Sequence, residues 1–247
     1  MESVVSRATG VPIASREVRW TTVGIVGLAL LVVAQLYGVL TSPPDRDMGH
    51  LQKIMYVHVP AAWNAMLAFL LVALASLRYL WKGRLADDLL AASAAEVGML
   101  LTGLTLALGM IWGKPTWGIW WTWEPRLTST AVLFFMFVAY LILRTFVDDA
   151  ERRAQWSAVV GLLGALNVPI VYMSVRWWRT LHQMQSSPMT LDSSYTWPLR
   201  VNAIALMLLM AYAVAHRYRS AIMTQTADEL MDRLALHGAP GGGGSRA

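Results

Sequence analysis

The chain has 247 residues, of which 56% are hydrophobic and only 14% are charged, whereas a soluble domain carries about 25% charged residues. This composition excludes an ordinary soluble globule, and the abundance of apolar surface available for burial excludes intrinsic disorder. The sequence has no cysteine, which excludes disulfides, thiolate metal sites and thiol nucleophiles. The net charge of +5 comes from basic residues in short runs between apolar segments. That pattern is typical of the flanks of membrane spans and not of a nucleic-acid-binding face.

Six segments are apolar over the roughly 20 residues that a helix needs to cross a bilayer. In chain order they cover about residues 20–40, 61–80, 89–111, 129–147, 156–175 and 199–216. The first segment is longer than the apolar part of a cleaved signal peptide and is followed by Thr-Ser-Pro-Pro-Asp, so we expect it to remain as a span. The sequence therefore predicts an all-α integral membrane protein built as a bundle of six transmembrane helices.

The distribution of positive charge predicts the orientation of these spans. When each lysine and arginine is assigned to its nearest connecting segment, 13 lie on the side of the two termini and 7 on the other side. Both termini are therefore predicted to be cytoplasmic. In a bacterium, the connections at about residues 41–60, 112–128 and 176–198 then face the periplasm from the inner membrane. These outer connections contain most of the tryptophans.

The chain divides into three parts on this interpretation. Residues 1–19 form a cytoplasmic N-terminus, residues 20–217 the six-helix membrane domain, and residues 218–247 a cytoplasmic tail. The tail pattern predicts one short amphipathic helix that ends near Gly238, followed by a glycine-rich end that we expect to be disordered. No G-x-x-x-x-G-K-[ST] motif occurs, so no nucleotide site of the P-loop kind is expected.

Five tryptophans lie within twelve residues of the second outer connection: Trp112, Trp117, Trp120, Trp121 and Trp123. Tryptophan favours the headgroup level of a bilayer, so one interpretation is an aromatic belt. Their density in a single segment, which is predicted not to form a transmembrane helix, favours a continuous aromatic shelf against which a large flat ligand can stack. Lys114 and Arg126 flank this cluster and supply cations for the carboxylates of such a ligand.

Two histidines lie on the same outer side of the predicted bundle. His58 comes just before the second span and His182 just after the fifth. Either histidine alone is typical of a polar cap at a membrane interface. Two together, each near tryptophan in a chain without cysteine, favour axial ligation of a haem iron. The other histidines, which we interpret as exposed or flanking residues, are His50, His216 and His237.

Polar residues inside the predicted spans are few. Glu96 falls within the third span, where an ionisable group is costly and indicates a functional site, although a protonated or hydrogen-bonded packing role explains it equally well. Three asparagines are predicted to form hydrogen bonds between helices: Asn64, Asn167 and Asn202.

The segment that begins at Trp117 has the pattern W-G-x-x-W-x-W-acid, and it is preceded by Trp-Gly-Lys-Pro and followed by Arg-Leu-Thr-Ser. Upstream lies Met-Tyr-Val-His-Val-Pro, and downstream lies Trp-Trp-x-Thr-Leu-His-Gln. Together these blocks resemble the tryptophan-rich WWD motif and flanking sequences of the cytochrome c maturation protein C family of haem handling proteins. The resemblance extends over about residues 20–217.

This resemblance implies an inner-membrane protein that presents haem b on the periplasmic side to the haem chaperone, cytochrome c maturation protein E. It also implies a complex with protein A, which is an ABC-type ATPase, and with membrane proteins B and D. His58 and His182 correspond to the paired haem ligands. The haem-contacting segment corresponds to Trp112, Trp117, Trp120, Trp121, Trp123, Glu124 and Arg126. The acidic end of the motif differs, because Glu124-Pro125 replaces the usual Asp-Ala.

The leading hypothesis is that haem lies against the tryptophans, with His58 and His182 on its iron. Arg126, helped by Lys114 or Arg179, neutralises the propionates, while bond formation belongs to the haem and its chaperone, so no catalytic residue is assigned. One alternative is a permease that moves haem through its own helices, for which Glu96 and the asparagines offer a sparse polar path. Another is a b-type cytochrome that oxidises or reduces quinones, which requires histidine pairs deep within the spans.

Overall fold

The computed structural model of the chain describes residues 13–182 and 192–238, and these form six long helices with no strand among them. In chain order the helices are α1 (Ile13–Thr41), α2 (Met55–Lys82), α3 (Leu85–Trp117), α4 (Pro125–Phe146), α5 (Ala150–Trp177) and α6 (Ser193–Gly238). A short 3₁₀ turn, His50–Ile54, leads into α2. All six helices are long and apolar enough to cross a membrane, which confirms the predicted all-α bundle of six spans.

Successive helices run in opposite directions, so the connections collect at two ends of the bundle. Helices α1, α3 and α5 finish at the same end of the bundle. We call it the Trp-rich end, because residues 112–123 lie there.

Local residues determine where several helices begin or end. Gly118 ends α3 with a positive φ of 78°, a conformation that glycine adopts without steric cost. The carboxylates of Glu124 and Asp149 accept backbone N–H groups in the first turns of α4 and α5.

The middle of the bundle is packed from α2, α3, α4 and α5. The rings of Phe69 and Phe137 stack there with centroids 3.8 Å apart, and Gly98 and Gly164 lie against these rings where a Cβ atom would crowd them. Small residues thus let the helices approach closely, as is typical of packing within membranes. Helix α1 packs mainly on α6, and the rest of its apolar surface is exposed on the outside of the bundle.

The three asparagines in the spans each donate a hydrogen bond to a neighbouring helix. Asn64 Nδ2 lies 3.2 Å from the Ala203 carbonyl oxygen, Asn167 Nδ2 lies 2.8 Å from that of Ser129, and Asn202 Nδ2 lies 2.9 Å from that of Ala34. These bonds connect α2 with α6, α5 with α4, and α6 with α1. The predicted role of the asparagines between helices is confirmed.

All six helices begin before the predicted spans, and two of them also end well after the predicted ends. Helix α3 continues to Trp117 and includes Pro115, so residues 112–117 are helical and the connection shrinks to residues 118–124. The predicted tail helix is not separate, since α6 runs from Ser193 to Gly238 without interruption. Its 46 residues extend about 69 Å at 1.5 Å per residue. The physical reason is that no glycine or proline occurs between Leu199 and His237.

A buried ion pair joins α3 to α4 at the opposite end of the bundle. The guanidinium of Arg144 holds the carboxylate of Asp88 in a bidentate pair at 2.5 and 2.8 Å, and the two side chains are only 12% and 4% exposed. The geometry satisfies both charges at once. Loss of one partner leaves the other charge buried and uncompensated, which is costly.

We therefore predict that Asp88→Ala lowers the free energy of unfolding by about 3 kcal/mol. Adding Arg144→Leu to that variant recovers most of the loss, because no unpaired charge then remains. Thermal unfolding of the purified full chain in detergent, followed by circular dichroism, measures both effects. Asp228→Ala, at an exposed position of α6, is the control. Equal destabilisation by the single and the double variant would contradict this account.

Candidate functional site

A cavity of about 430 Å³ opens at the Trp-rich end between α2, α3, α4 and α5. It extends from Met48, in the connection after α1, into the bundle as far as Thr102 and Leu133. Its walls are mainly apolar and carry a few polar groups, as is usual for pockets that bind organic ligands and cofactors. His58 and His182 both line it.

His58 lies in the first turns of α2, and two features of α3 surround its ring. The edge of the ring faces Trp112, with centroids 5.7 Å apart and planes at 79°. On the same helix, a Cβ atom at Gly109 would lie only 3.2 Å from His58 Cε1. The absence of a side chain at Gly109 therefore leaves room for the imidazole. The Nδ1 atom of His58 is buried and has no hydrogen-bond partner among the described residues.

His182 follows α5, and its ring lies between an aromatic and an acidic side chain. The ring centroid is 5.2 Å from that of Trp117, with planes at 63°. The Nδ1 atom lies 3.2 Å from Glu124 Oε1. The structure thus brings the two histidines, which are 124 positions apart in the sequence, to one cavity, and each ring packs edge-on against a tryptophan of α3.

Glu124 connects the start of α4 to the segment after α5. Its Oε1 accepts the Leu127 N–H at 2.6 Å, and its Oε2 accepts the Thr180 hydroxyl. Thr180 Oγ1 in turn accepts the backbone N–H of His182 at 3.1 Å. Burial alone raises the pKa of Glu124, but the neighbouring His182 and the hydrogen bonds from Thr180 and Leu127 outweigh it and lower the pKa to about 2. The carboxylate is therefore charged at neutral pH.

Arg126 is the only lysine or arginine that lines the cavity within residues 13–182 and 192–238. Its Nε donates to Ser174 Oγ at 3.2 Å, and its Nη2 lies 3.3 Å from the Tyr172 carbonyl oxygen. These contacts tie the first turn of α4 to the last turns of α5. They also hold one cationic group at the cavity wall, where it can pair with an anionic substituent of a ligand.

The tryptophans divide into two groups. Trp112 and Trp117, in the last turns of α3, and Trp121, in the connection, line the cavity. Trp120 and Trp123 are 58% and 78% exposed and do not line it. The aromatic wall therefore comes from a helix end as well as a loop, and not from one continuous loop as the sequence suggested.

The other candidate cations lie elsewhere. Lys114 is exposed and donates from Nζ to the Gly118 carbonyl oxygen at 2.9 Å, where it helps to end α3. Arg179 does not line the cavity. Sequence analysis also missed Trp63, which lines the cavity from α2, and Thr180, whose position two residues before His182 was the only available signal.

Glu96 lies away from the cavity. Its carboxylate binds the guanidinium of Arg217 at 2.5 and 2.9 Å. Of the two interpretations of Glu96 from the sequence, the hydrogen-bonded packing residue therefore fits the structure. His50 is exposed in the 3₁₀ turn and does not line the cavity, and His216 lies beside Tyr212 on α6. The side chain of His237 lies outside the described residues.

Fold and site together define a multi-pass α-helical membrane protein with a histidine- and tryptophan-lined cavity at one end of its bundle. Residues 4–233 match the protein family described as Heme exporter protein C. The chain is 43% identical over 185 residues to Heme exporter protein C of Bradyrhizobium diazoefficiens, which covers 73% of this chain and 70% of that protein. The chain belongs to the Heme exporter protein C family, which takes part in haem handling for cytochrome c maturation.

Two further relatives extend the match over more of the chain. Heme exporter protein C of Escherichia coli K12 is 35% identical over 204 residues, covering 81% of this chain and 82% of that protein. The protein of the same name from Paracoccus denitrificans is 32% identical over 219 residues, covering 87% and 90%. The family match, over residues 4–233, includes most of the six-helix bundle and the whole site.

The two groups of tryptophans give a direct test of the cavity as the haem site. We predict that Trp121→Leu lowers haem affinity about threefold to tenfold, because an aromatic contact contributes about 0.5–1.5 kcal/mol beyond its buried area. Titration of the purified chain with haem, followed at the Soret band, measures the change. The adjacent Trp120→Leu, at an exposed ring outside the cavity, is the matched control. Equal affinities for both variants would show that haem does not contact Trp121.

Proposed function

We propose that this chain binds haem b in the cavity at the Trp-rich end and presents it to a periplasmic haem chaperone, cytochrome c maturation protein E. The observation that carries this proposal is the convergence of His58, His182 and Arg126 on one aromatic-lined cavity. Two imidazoles supply axial ligands for a haem iron, and one guanidinium supplies a partner for a propionate. The family to which the chain belongs supports haem as the ligand.

In this proposal each wall of the cavity has a separate task. His58 from α2 and His182 after α5 hold the iron. Because the chain has no cysteine, histidine and methionine are the main side chains that can donate nitrogen or sulfur to it. Trp112, Trp117 and Trp121 pack against the macrocycle. Iron coordination and non-covalent contacts, with no covalent link between the chain and the macrocycle, keep the haem transferable. Any covalent bond with the chaperone is formed between haem and the chaperone, while this chain binds and orients the haem.

We further infer that the Trp-rich end faces the periplasm from the bacterial inner membrane. The support is the excess of lysine and arginine at the opposite end, 13 against 7, since basic residues accumulate on the cytoplasmic side. The sequence contains no P-loop motif. ATP hydrolysis in an exporter complex would then belong to a partner, the ATPase protein A, with proteins B and D as membrane subunits.

The geometry gives less support to the two other candidate functions. A haem permease needs a polar path across the bundle, but Glu96 lies outside the cavity and is paired with Arg217. A quinone-linked cytochrome needs a second histidine pair within the spans. Among the histidines whose side chains the structure describes, His216 is the only one in the half of the bundle away from the Trp-rich end. A binding and presentation role requires neither feature.

The proposal predicts that His58→Ala and His182→Ala each convert a six-coordinate haem spectrum to that of a chain with one histidine ligand. The double variant is expected to lose most of the haem that copurifies with the full chain. Absorption spectra and haem-to-protein ratios measure both effects. His50→Ala, at the same end but outside the cavity, is the control. Wild-type haem content and an unchanged Soret band in the double variant would overturn the ligand assignment.

A further inference from the structure

The carboxylate of Glu124 does more than a helix cap requires. Capping α4 needs a single acceptor for a backbone N–H, and Oε1 supplies it to Leu127 at 2.6 Å. Aspartate, serine, threonine and asparagine are the residues that usually cap helices, and Asp149 caps α5 by a contact of the same kind to Arg152 at 2.7 Å. The longer glutamate at position 124 is therefore not explained by the cap.

The additional reach of Glu124 is used on the segment that carries His182. Its second oxygen accepts the hydroxyl of Thr180, and His182 Nδ1 lies 3.2 Å from Oε1. The Glu124 side chain is only 8% exposed and that of His182 only 18%. Water therefore competes little at this site. His182 Nδ1 is buried and has no hydrogen-bond partner among the described residues, and Glu124 Oε1, 3.2 Å away, is a charged acceptor that can interact strongly with a ring N–H in such surroundings.

We propose that Glu124 is a positioning residue for His182, and that its carboxylate, 3.2 Å from Nδ1, accepts the Nδ1–H when the imidazole binds iron. This inference rests on the proposed function, in which His182 binds haem iron. With the proton held on Nδ1, the neutral tautomer leaves Nε2 as the atom with a free lone pair. The acidic residue of the tryptophan-rich motif thereby acts through the histidine and does not itself touch the haem.

Thr180 completes the arrangement from the other side. Its hydroxyl donates to Glu124 Oε2 and accepts the backbone N–H of His182 at 3.1 Å. One side chain thus holds both the carboxylate and the main chain of the histidine. Because the start of α4 also carries Arg126, the same contacts set the position of the cation relative to His182.

An anionic hydrogen-bond acceptor makes a ligating imidazole more basic, and removal of such outer-shell partners typically lowers metal affinity 10–100-fold. A more electron-donating imidazole favours ferric over ferrous iron. Glutamine at position 124 keeps nearly the same shape and can still cap α4, but it lacks the charge. The chemical contribution of the carboxylate can therefore be separated from its structural contribution.

The experiment compares haem-loaded full-length protein with Glu124→Gln and with Asp149→Asn, a matched loss of charge at the cap of α5. We expect Glu124→Gln to shift the haem midpoint potential to more positive values and to lower haem affinity about tenfold. Asp149→Asn leaves both unchanged, and the thermal unfolding midpoints of the two variants agree. An unchanged potential in Glu124→Gln, or an equal shift in Asp149→Asn, overturns the proposal.

A second pair of variants tests the same inference without altering the carboxylate. Thr180→Val removes the hydroxyl at nearly constant shape, whereas Thr180→Ser retains it. The haem midpoint potential should shift to more positive values in Thr180→Val and match that of the unaltered protein in Thr180→Ser. Equal potentials in the two variants would overturn the proposal.

His182→Ala distinguishes failure of this inference from failure of the proposed function. If His182→Ala leaves the haem spectrum unchanged, the ligand assignment fails. If it changes the spectrum while the Glu124 and Thr180 variants do not, only the role of Glu124 fails.

Discussion

The buried carboxylate of Glu124 joins three segments that reach the Trp-rich end from different parts of the chain. It caps α4, accepts the Thr180 hydroxyl after α5, and lies 3.2 Å from the ring of His182. These contacts place His182 against Trp117 of α3 and Arg126 at the cavity wall. The junction thus brings His182 and Arg126 to the cavity, and α2 brings His58 to it separately. A charge that is costly to bury is thus stabilised by the groups that it positions.

The rest of the bundle keeps this junction in place by satisfying the polar groups that the spans bury. Asparagines donate across pairs of helices, and Asp88 and Arg144 neutralise each other between α3 and α4 at the far end. Close packing between helices also contributes. Gly109 of α3, for example, has no side chain and so leaves room for the ring of His58. In hydrocarbon, where water cannot replace a lost partner, such contacts fix the relative positions of helices as well as stabilise them. These contacts hold the four helices that form the cavity.

Sequence patterns predicted the six spans and the asparagine bonds, because hydropathy over 20 residues is a strong signal. They did not predict that α3 reaches Trp117, since glycine and proline between residues 112 and 117 indicated a loop. They also did not distinguish the exposed Trp120 and Trp123 from Trp121, which lines the cavity. In an irregular segment the side chains follow no regular period, so the sequence does not show which way each one points. The partner of Glu96, Arg217, is 121 positions away, and no local pattern reports such a contact. The shared outer side of His58 and His182 and the family resemblance both indicated these two histidines, whereas the residues around them could be identified only from the coordinates.

The central claim is that His58 and His182 bind the iron of one haem in the cavity at the Trp-rich end. A structure of the full-length protein with haem bound, determined by electron cryo-microscopy in a lipid nanodisc, tests it most directly. Our account predicts haem in the cavity between α2, α3, α4 and α5, with a nitrogen of each histidine on the iron and Arg126 beside a propionate. Haem bound outside this cavity, or an iron that neither histidine contacts, would contradict the account.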